Sequence, residues 1–312
     1  MKIALLFPGY GSQFVGMGKE LYDESRIMQE YFEEASTALN TNFVKLCFAS
    51  SDAEISSIDQ SLVATFLVSS AIYAHIKDRE GLVPEVVAGY TSGTYAALCA
   101  TGGINFPDML YLLQKYTSYY HELLTQIPIR AIQVRGIDRL RIDNIVAPYA
   151  ASETRAFVSV YDAFSTFVIS GHQEAIAQMS EQFPSSAKVT ELPAVEGLHS
   201  PLMSMIEAHI RTYCAKVDFK DIMVPFLAPT SAQELATADG LKEELLQQIV
   251  TPLDWSLVTK KLAEYDAYIE IGPGTQISDA LRELYPEKPI IAINKGSDST
   301  LLHDLLTQKP RE

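Results

Sequence analysis

Short, dense apolar runs alternate along this chain with longer segments whose apolar positions recur every three or four residues. The runs KIALLF (2–7), EVVAGY (85–90), IMVPFLA (222–228), AYIEI (267–271) and PIIAI (289–293) are continuous rather than alternating. That pattern predicts strands buried on both faces. Between them, helical periodicity predicts helices at about 18–39, 61–80, 107–126, 239–249, 255–264 and 276–285, with a short one starting at Ser92. Strands that alternate with helices imply an α/β fold built on a mainly parallel sheet.

The middle of the chain follows another order. AIQVRG (131–136), a helical DRLRIDNIVAPYA (138–150), AFVSVYDA (156–163), STFVISGH (165–172), a helical EAIAQMSEQF (174–183) and AKVTELPA (187–194) succeed one another. This is a β-α-β-β-α-β unit, the ferredoxin-like arrangement. It predicts a small ferredoxin-like domain at 127–195, inserted into a large α/β-hydrolase-like domain made of 1–126 and 196–312. No internal repeat or low-complexity segment interrupts this plan, and the polar last dozen residues, ending in TQKPRE, are expected to fray.

Within the pattern, VVAGYTSGTYAAL (86–98) reads as a buried strand, a tight turn and a helix. Gly89 and Gly93 sit where a nucleophile elbow crowds its neighbours. The middle of that turn is Thr91, and a serine, Ser92, follows one place later. A threonine hydroxyl can be acylated, although its methyl stiffens χ1 in a strained turn. A hydroxyl at a helix start is more often a cap than a nucleophile, so Thr91 ranks above Ser92.

Charge narrows the function classes. A net charge of −15 over 312 residues excludes a general nucleic-acid binder and disfavours anionic membrane surfaces. It leaves room for an acidic partner docked on a local basic patch. Hydrophobic residues make up 47% and charged residues 20%, as in an ordinary globular enzyme. Cys47, Cys99 and Cys214 are isolated, so neither a disulfide framework nor metal spacing is expected. Buried reduced thiols in a cytoplasmic protein fit them, and no stretch is long and apolar enough to span a bilayer. The N-terminal run ends at Pro8-Gly9, which reads as a first core strand rather than a signal peptide.

Four segments then combine. PGYGSQ (8–13) follows the first strand, Gly89 to Leu98 forms the elbow, LPAVEGLHSPLM (192–203) carries His199, and IEIGPGTQISDAL (269–281) joins a late strand to a helix. Together they resemble the malonyl-CoA:acyl-carrier-protein transacylase family over essentially the whole chain. The resemblance implies an acyltransferase of fatty-acid or polyketide synthesis, acting on acyl-CoA and phosphopantetheine-linked acyl groups, with an acyl carrier protein as partner and no cofactor or metal. It implies His199 as general acid–base, oriented mainly by a backbone carbonyl near a P-x-x-W segment, here Pro252-Leu253-Asp254-Trp255. It also implies an oxyanion hole from the backbone N–H groups of Tyr10 and Ser92.

The departures from the family are as informative. Aligned on the two glycines, Tyr90 replaces a histidine and Thr91 the nucleophilic serine, while Tyr10 replaces a glutamine. Asp254 stands where glutamine is usual and could give His199 a carboxylate partner, although starting the next helix is its simpler role. The arginine that grips the malonyl carboxylate is replaced by Tyr116, and neighbouring Lys115 faces about 100° away on the helix. An unpaired buried carboxylate costs several kcal/mol, so an uncarboxylated acyl group is expected. Tyr111, Tyr116, Tyr119 and Tyr120 could line an acyl pocket or simply pack. Tyr161-Asp162 occupies a place that the family fills with polar residues, and no role transfers to it. Two functions remain open: an acyltransferase or thioester hydrolase using Thr91 and His199, and an impaired homologue that serves as a binding or scaffold partner in a synthase complex. A serine esterase on the α/β-hydrolase fold fits less well, because the elbow lacks a central serine.

Overall fold

The computed structural model describes residues 1–192, 199–296 and 298–307. Its first six strands are β1 (Ile3–Phe7), β2 (Val86–Gly89), β3 (Ile129–Arg135), β4 (Ala156–Tyr161), β5 (Thr166–His172) and β6 (Lys188–Leu192). The rest are β7 (Phe226–Leu227), β8 (Glu234–Leu235), β9 (Leu253–Asp254), β10 (Ala267–Ile271) and β11 (Ile290–Ile293).

The larger sheet runs β11-β10-β1-β2-β7-β8 and is parallel except for the β7–β8 pair. Both faces are covered, which is why its strands read as unbroken apolar runs. Leu5, Phe7, Val87 and Ile269 face the helices Ile58–Glu80, Gly93–Thr101 and Phe106–Gln126 on one side. Ala4, Leu6, Val86 and Ala88 face Trp255, Val258 and Leu281 on the other. β1 and β2 are parallel neighbours, so the loops leaving their carboxyl ends meet. In open α/β sheets the crevice outside those strand ends is where ligands bind.

The smaller sheet runs β6-β3-β5-β4-β9. Strands β3 to β6 with the helices Arg139–Ala150 and Gln173–Ser180 make the expected β-α-β-β-α-β unit, with Ile142, Val146, Ile176 and Met179 buried between helices and sheet. Two short strands were not foreseen: β8, which pairs antiparallel to β7, and β9, from the P-x-x-W segment, which pairs parallel to β4 and ties the two sheets together. The boundary expected at 195/196 lies outside the described residues, as do residues 193–198 of the His199 segment.

Other departures have local causes. The expected helix at 18–39 divides at Ser25, whose hydroxyl accepts from Met28 N–H and starts Arg26–Leu39 afresh. The strand expected over 222–228 shortens to Phe226–Leu227, since Pro225 offers a carbonyl to Val87 but has no N–H for a ladder. The helix Ser204–Cys214 was not predicted. The chain end does not fray through Thr307: Asp298–Thr307 is helical, with Leu302 and Leu305 in the core. Residues 308–312 lie outside the described residues. Within the described residues no helix is long and apolar enough to cross a membrane.

Candidate active site

The elbow forms where the two glycines demand it. A Cβ on Gly89 would collide with the backbone of Thr94, and one on Gly93 with the carbonyl oxygen of Phe7. Tyr90 N–H donates to Phe7 O at 2.9 Å, holding the turn against β1. Thr91 is then forced to φ +48°, a left-handed conformation that a β-branched residue rarely adopts. Its hydroxyl is buried and has no hydrogen-bond partner among the described residues. A buried unpaired hydroxyl on a strained residue calls for a functional explanation.

Thr91 and His199 line the same cavity, of about 50 Å³, together with Tyr10, Tyr90 and Ser92. His199 is fixed by its Nδ1–H, which donates to the backbone carbonyl of Gln248 at 2.6 Å. That carbonyl lies in the last turn of the helix Ala238–Val250, where carbonyls lack intrahelical partners. The bond leaves the Nε2 lone pair free to take a proton, and the negative end of the helix dipole favours the imidazolium that results. Burial lowers the His199 pKa from 6.5 to about 4, so the ring is neutral at neutral pH and acts as a base.

The carbonyl expected near the P-x-x-W segment is thus that of Gln248, four residues before Pro252. The carboxylate partner considered for His199 is corrected. Asp254 Oδ1 caps the helix Trp255–Leu262 by accepting from Leu257 N–H at 3.2 Å and takes the Ser256 hydroxyl at 2.6 Å. Its Oδ2 accepts from Arg139 Nη1 at 2.6 Å. A cap at the first turn and a cation from the smaller sheet outcompete the histidine.

The oxyanion donors are arranged differently from the expectation. Ser92 starts the helix Gly93–Thr101 without capping it. Its hydroxyl instead accepts the Tyr10 N–H at 2.8 Å. One of the two donors expected for an oxyanion is therefore already engaged by a side chain, and a thioester carbonyl can reach it only when Ser92 Oγ swings aside. Neither segment of the sequence announces this bond.

Among the described residues the remaining lining carries no formal charge: Leu62, Tyr95, Tyr116, Val160, Val168 and Gln248. Tyr116 does stand in the cavity wall, stacked on Tyr120 at 6.3 Å and tilted against Tyr95 at 6.3 Å. Burial drives its phenol pKa well above the usual value, so it offers a neutral hydroxyl where the resemblance supplies a guanidinium. Lys115 turns away, with its ammonium 5.4 Å from the Tyr111 ring and 5.6 Å from the Tyr213 ring. Of the four clustered tyrosines, Tyr111 and Tyr119 therefore belong to a separate aromatic packing with Tyr213.

Tyr90 closes the cavity towards the smaller sheet. Its hydroxyl donates to Asp162 Oδ2 at 2.9 Å and its ring meets Trp255 edge-on at 5.1 Å. Asp162, for which the sequence assigned no role, is thus a strut between the elbow and β4. Burial raises its carboxyl pKa, and hydrogen bonds from Ala163 N–H and Tyr90 oppose that rise. Among the described residues no cluster of His, Cys, Asp and Glu could hold a metal ion.

Known proteins resemble this chain over nearly its full length. The malonyl CoA-acyl carrier protein transacylase of Bacillus subtilis (strain 168) is 28% identical over 297 residues, covering 94% of this chain and 93% of that protein. The malonyl CoA-acyl carrier protein transacylase structure from Coxiella burnetii superposes with a TM-score of 0.90 at 24% identity, over 99% of this chain and 98% of the other. A malonyl-transacylase solved in complex with its type II PKS acyl-carrier protein, PlMCAT:AntF, superposes at 0.89 with 21% identity, over 98% of this chain and all of that one. The acyl transferase domain family matches residues 4–303, and the chain belongs to that family.

Proposed function

We propose that this protein transfers a short, uncarboxylated acyl group from coenzyme A to a carrier-protein thiol through a Thr91 ester. The observation that carries the reading is Thr91 itself: a β-branched residue held at φ +48°, its buried hydroxyl unpaired, in one cavity with a neutral His199. In the first half-reaction Thr91 Oγ1 attacks the thioester carbonyl as His199 Nε2 takes its proton. The C–S bond breaks, and the departing CoA thiolate takes that proton from Nε2. In the second half the carrier's thiol gives its proton to Nε2 and attacks the ester. The Thr91 oxygen leaves and recovers the proton. The Ser92 N–H, and the Tyr10 N–H once Ser92 Oγ has moved, stabilise the oxyanion.

The relatives named as malonyl CoA-acyl carrier protein transacylases support CoA and a carrier protein as donor and acceptor. They do not fix the acyl group here, because this cavity offers a carboxylate no cation among the described residues. At about 50 Å³ the cavity is small, which favours a short acyl chain.

Intact-protein mass spectrometry after incubation with acetyl-, butyryl- and malonyl-CoA tests the reading. A single acyl adduct from butyryl-CoA, absent in Thr91→Ala and much weaker from malonyl-CoA, is the expected result. No adduct from any donor, or an adduct that survives Thr91→Ala, overturns it. The competing reading, a binding partner without turnover, is favoured by the Tyr10 N–H being already engaged. It predicts carrier-protein capture with no adduct.

A further inference from the structure

Thr91 Oγ1 is sealed from solvent, so neither a thioester nor a water molecule reaches it unless a wall moves. Two spaces meet at that wall. The catalytic cavity and a wider cleft of about 440 Å³, between the smaller sheet and the helix Gln276–Leu284, share Tyr10, Tyr90 and Val168 in their linings. Val168 is fixed in β5, which is paired on both sides, with Gln133 and Val160 opposite it. Tyr10 is buried, and its N–H is held by Ser92 Oγ. Tyr90 differs from both. Its main chain is pinned to Phe7, but its half-buried side chain spans the gap from the elbow to Asp162 Oδ2 at 2.9 Å. Asp162 is the stationary end of that bond. Its Oδ1 accepts from Ala163 N–H at 2.8 Å, and its own N–H donates to Thr166 O at 2.9 Å.

Resting on the acyltransferase reading, we infer that Tyr90 is a specificity-determining gate, latched on Asp162, that keeps water from the Thr91 ester and yields to a thiol carried on a long arm. The chemistry of the ester makes such a gate necessary. Water can give a proton to His199 Nε2 as its oxygen attacks the ester carbonyl. The C–O bond to Thr91 then breaks, the Thr91 oxygen recovers the proton, and a free acid leaves. The same two residues therefore serve a hydrolase as readily as a transferase. What separates the two is access. An arm that binds in the cleft gains contacts that offset the lost Tyr90–Asp162 bond, whereas a water molecule brings no binding energy to open it. A closed site also keeps the intermediate from side reactions with solvent.

The test follows the decay of the butyryl adduct by intact mass, after removal of excess butyryl-CoA, in buffer alone and with added pantetheine. The wild-type adduct is expected to persist in buffer and to be discharged by pantetheine. Tyr90→Phe keeps the ring and removes the latch, so decay in buffer is expected to rise by about 10- to 100-fold, the worth of a hydrogen bond to a charged group. Asp162→Ala removes the latch from its far side, outside the catalytic cavity, and is expected to give a similar rise. The double variant should decay no faster than either single one, because both remove the same bond. Decay within twofold of wild type in both variants overturns the inference, and so do two increases that multiply in the double variant. A wild-type adduct that water cleaves as fast as pantetheine does overturns it even if neither variant folds. An adduct with unaltered decay sinks this inference alone. No adduct at all sinks the acyltransferase reading with it.

Discussion

At the elbow, position is dictated by backbone: Gly89 and Gly93 have no room for a Cβ, and Thr91 takes the left-handed conformation that the turn imposes. In the lining of the same cavity, nothing comparable constrains identity. Tyr95 and Tyr116 stand on helices and pack against one another at 6.3 Å, so side-chain packing rather than the course of a strand sets them. The contrast separates two kinds of chemistry. A proton acceptor and a strained hydroxyl follow from the fold, whereas the choice of acyl group follows from a few side chains. The second can change while the first is kept.

The largest expected effects lie on the elbow side of that contrast. Thr91→Ala should abolish the acyl adduct, and His199→Ala should slow its formation by about 10²- to 10⁴-fold, read by single-turnover mass spectrometry. If His199→Ala leaves the rate within twofold, the base is elsewhere. The turn itself should break with Gly93→Ala, since the new methyl meets the Phe7 carbonyl oxygen. Overpacking of this kind costs about 1–3 kcal/mol, or roughly 2–5 °C of Tm in a chain of this size, measured by calorimetry. By contrast, Tyr116→Phe removes a hydroxyl from the lining and should leave Tm nearly unchanged.

Acid sharpens the comparison in another way. The His199 pKa lies near 4 in the folded protein against 6.5 for the ordinary side chain. Its acylation rate should therefore hold down to about pH 5 and fall with a midpoint near 4. The stability effect has a defined sign. Between pH 6.5 and 4 the unfolded chain takes up a proton that the folded ring refuses, so stability falls as pH falls through that window. His199→Ala should flatten that part of the stability profile. A rate profile with its midpoint near 6.5 would place the ring in water instead.

Ser92 connects the two regions, and its removal is expected to help. Ser92→Ala frees the Tyr10 N–H that the hydroxyl now occupies. One oxyanion donor is worth about 10²- to 10³-fold when lost outright. Since Ser92 Oγ only has to rotate, a gain of roughly 10-fold in acylation rate is the expected result. A decrease would mean that the Ser92 hydroxyl itself donates to the oxyanion.

What the sequence disclosed follows the same division. The parallel strands were legible because burial on both faces makes them continuous apolar runs. The elbow was legible because two glycines frame it four residues apart. Contacts between distant side chains were not. Tyr10 and Ser92 are 82 residues apart, and nothing in either segment announces that a hydroxyl will take that N–H. The helix Ser204–Cys214 was missed because it buries only Ile206, Ile210 and Cys214, a stripe too thin to stand out. Gln248 could have been suspected from its place just before the P-x-x-W segment, but not that its carbonyl is the one that holds His199.

Asp254 shows how a plausible constellation fails for want of one distant residue, and it supplies the smallest expected effect. Read along the chain, a carboxylate beside the histidine's orienting segment suggests a triad. Arg139 lies 115 residues away, yet its Nη1 takes Oδ2, and its guanidinium lies 3.8 Å from the Tyr161 ring centroid. Oδ1 is held by the helix start. Asp254→Asn keeps an oxygen for the cap, since asparagine caps helices as well as aspartate does. It loses only the charge opposite Arg139, whose side chain is about half exposed, so the pair is worth no more than about 1 kcal/mol. The variant should lose at most roughly 2 °C of Tm and keep both its acylation rate and the midpoint of its pH profile. A triad carboxylate would behave otherwise: its loss would cost orders of magnitude in rate at nearly constant Tm. Measuring both quantities on one sample separates a strut between the two sheets from a partner of His199.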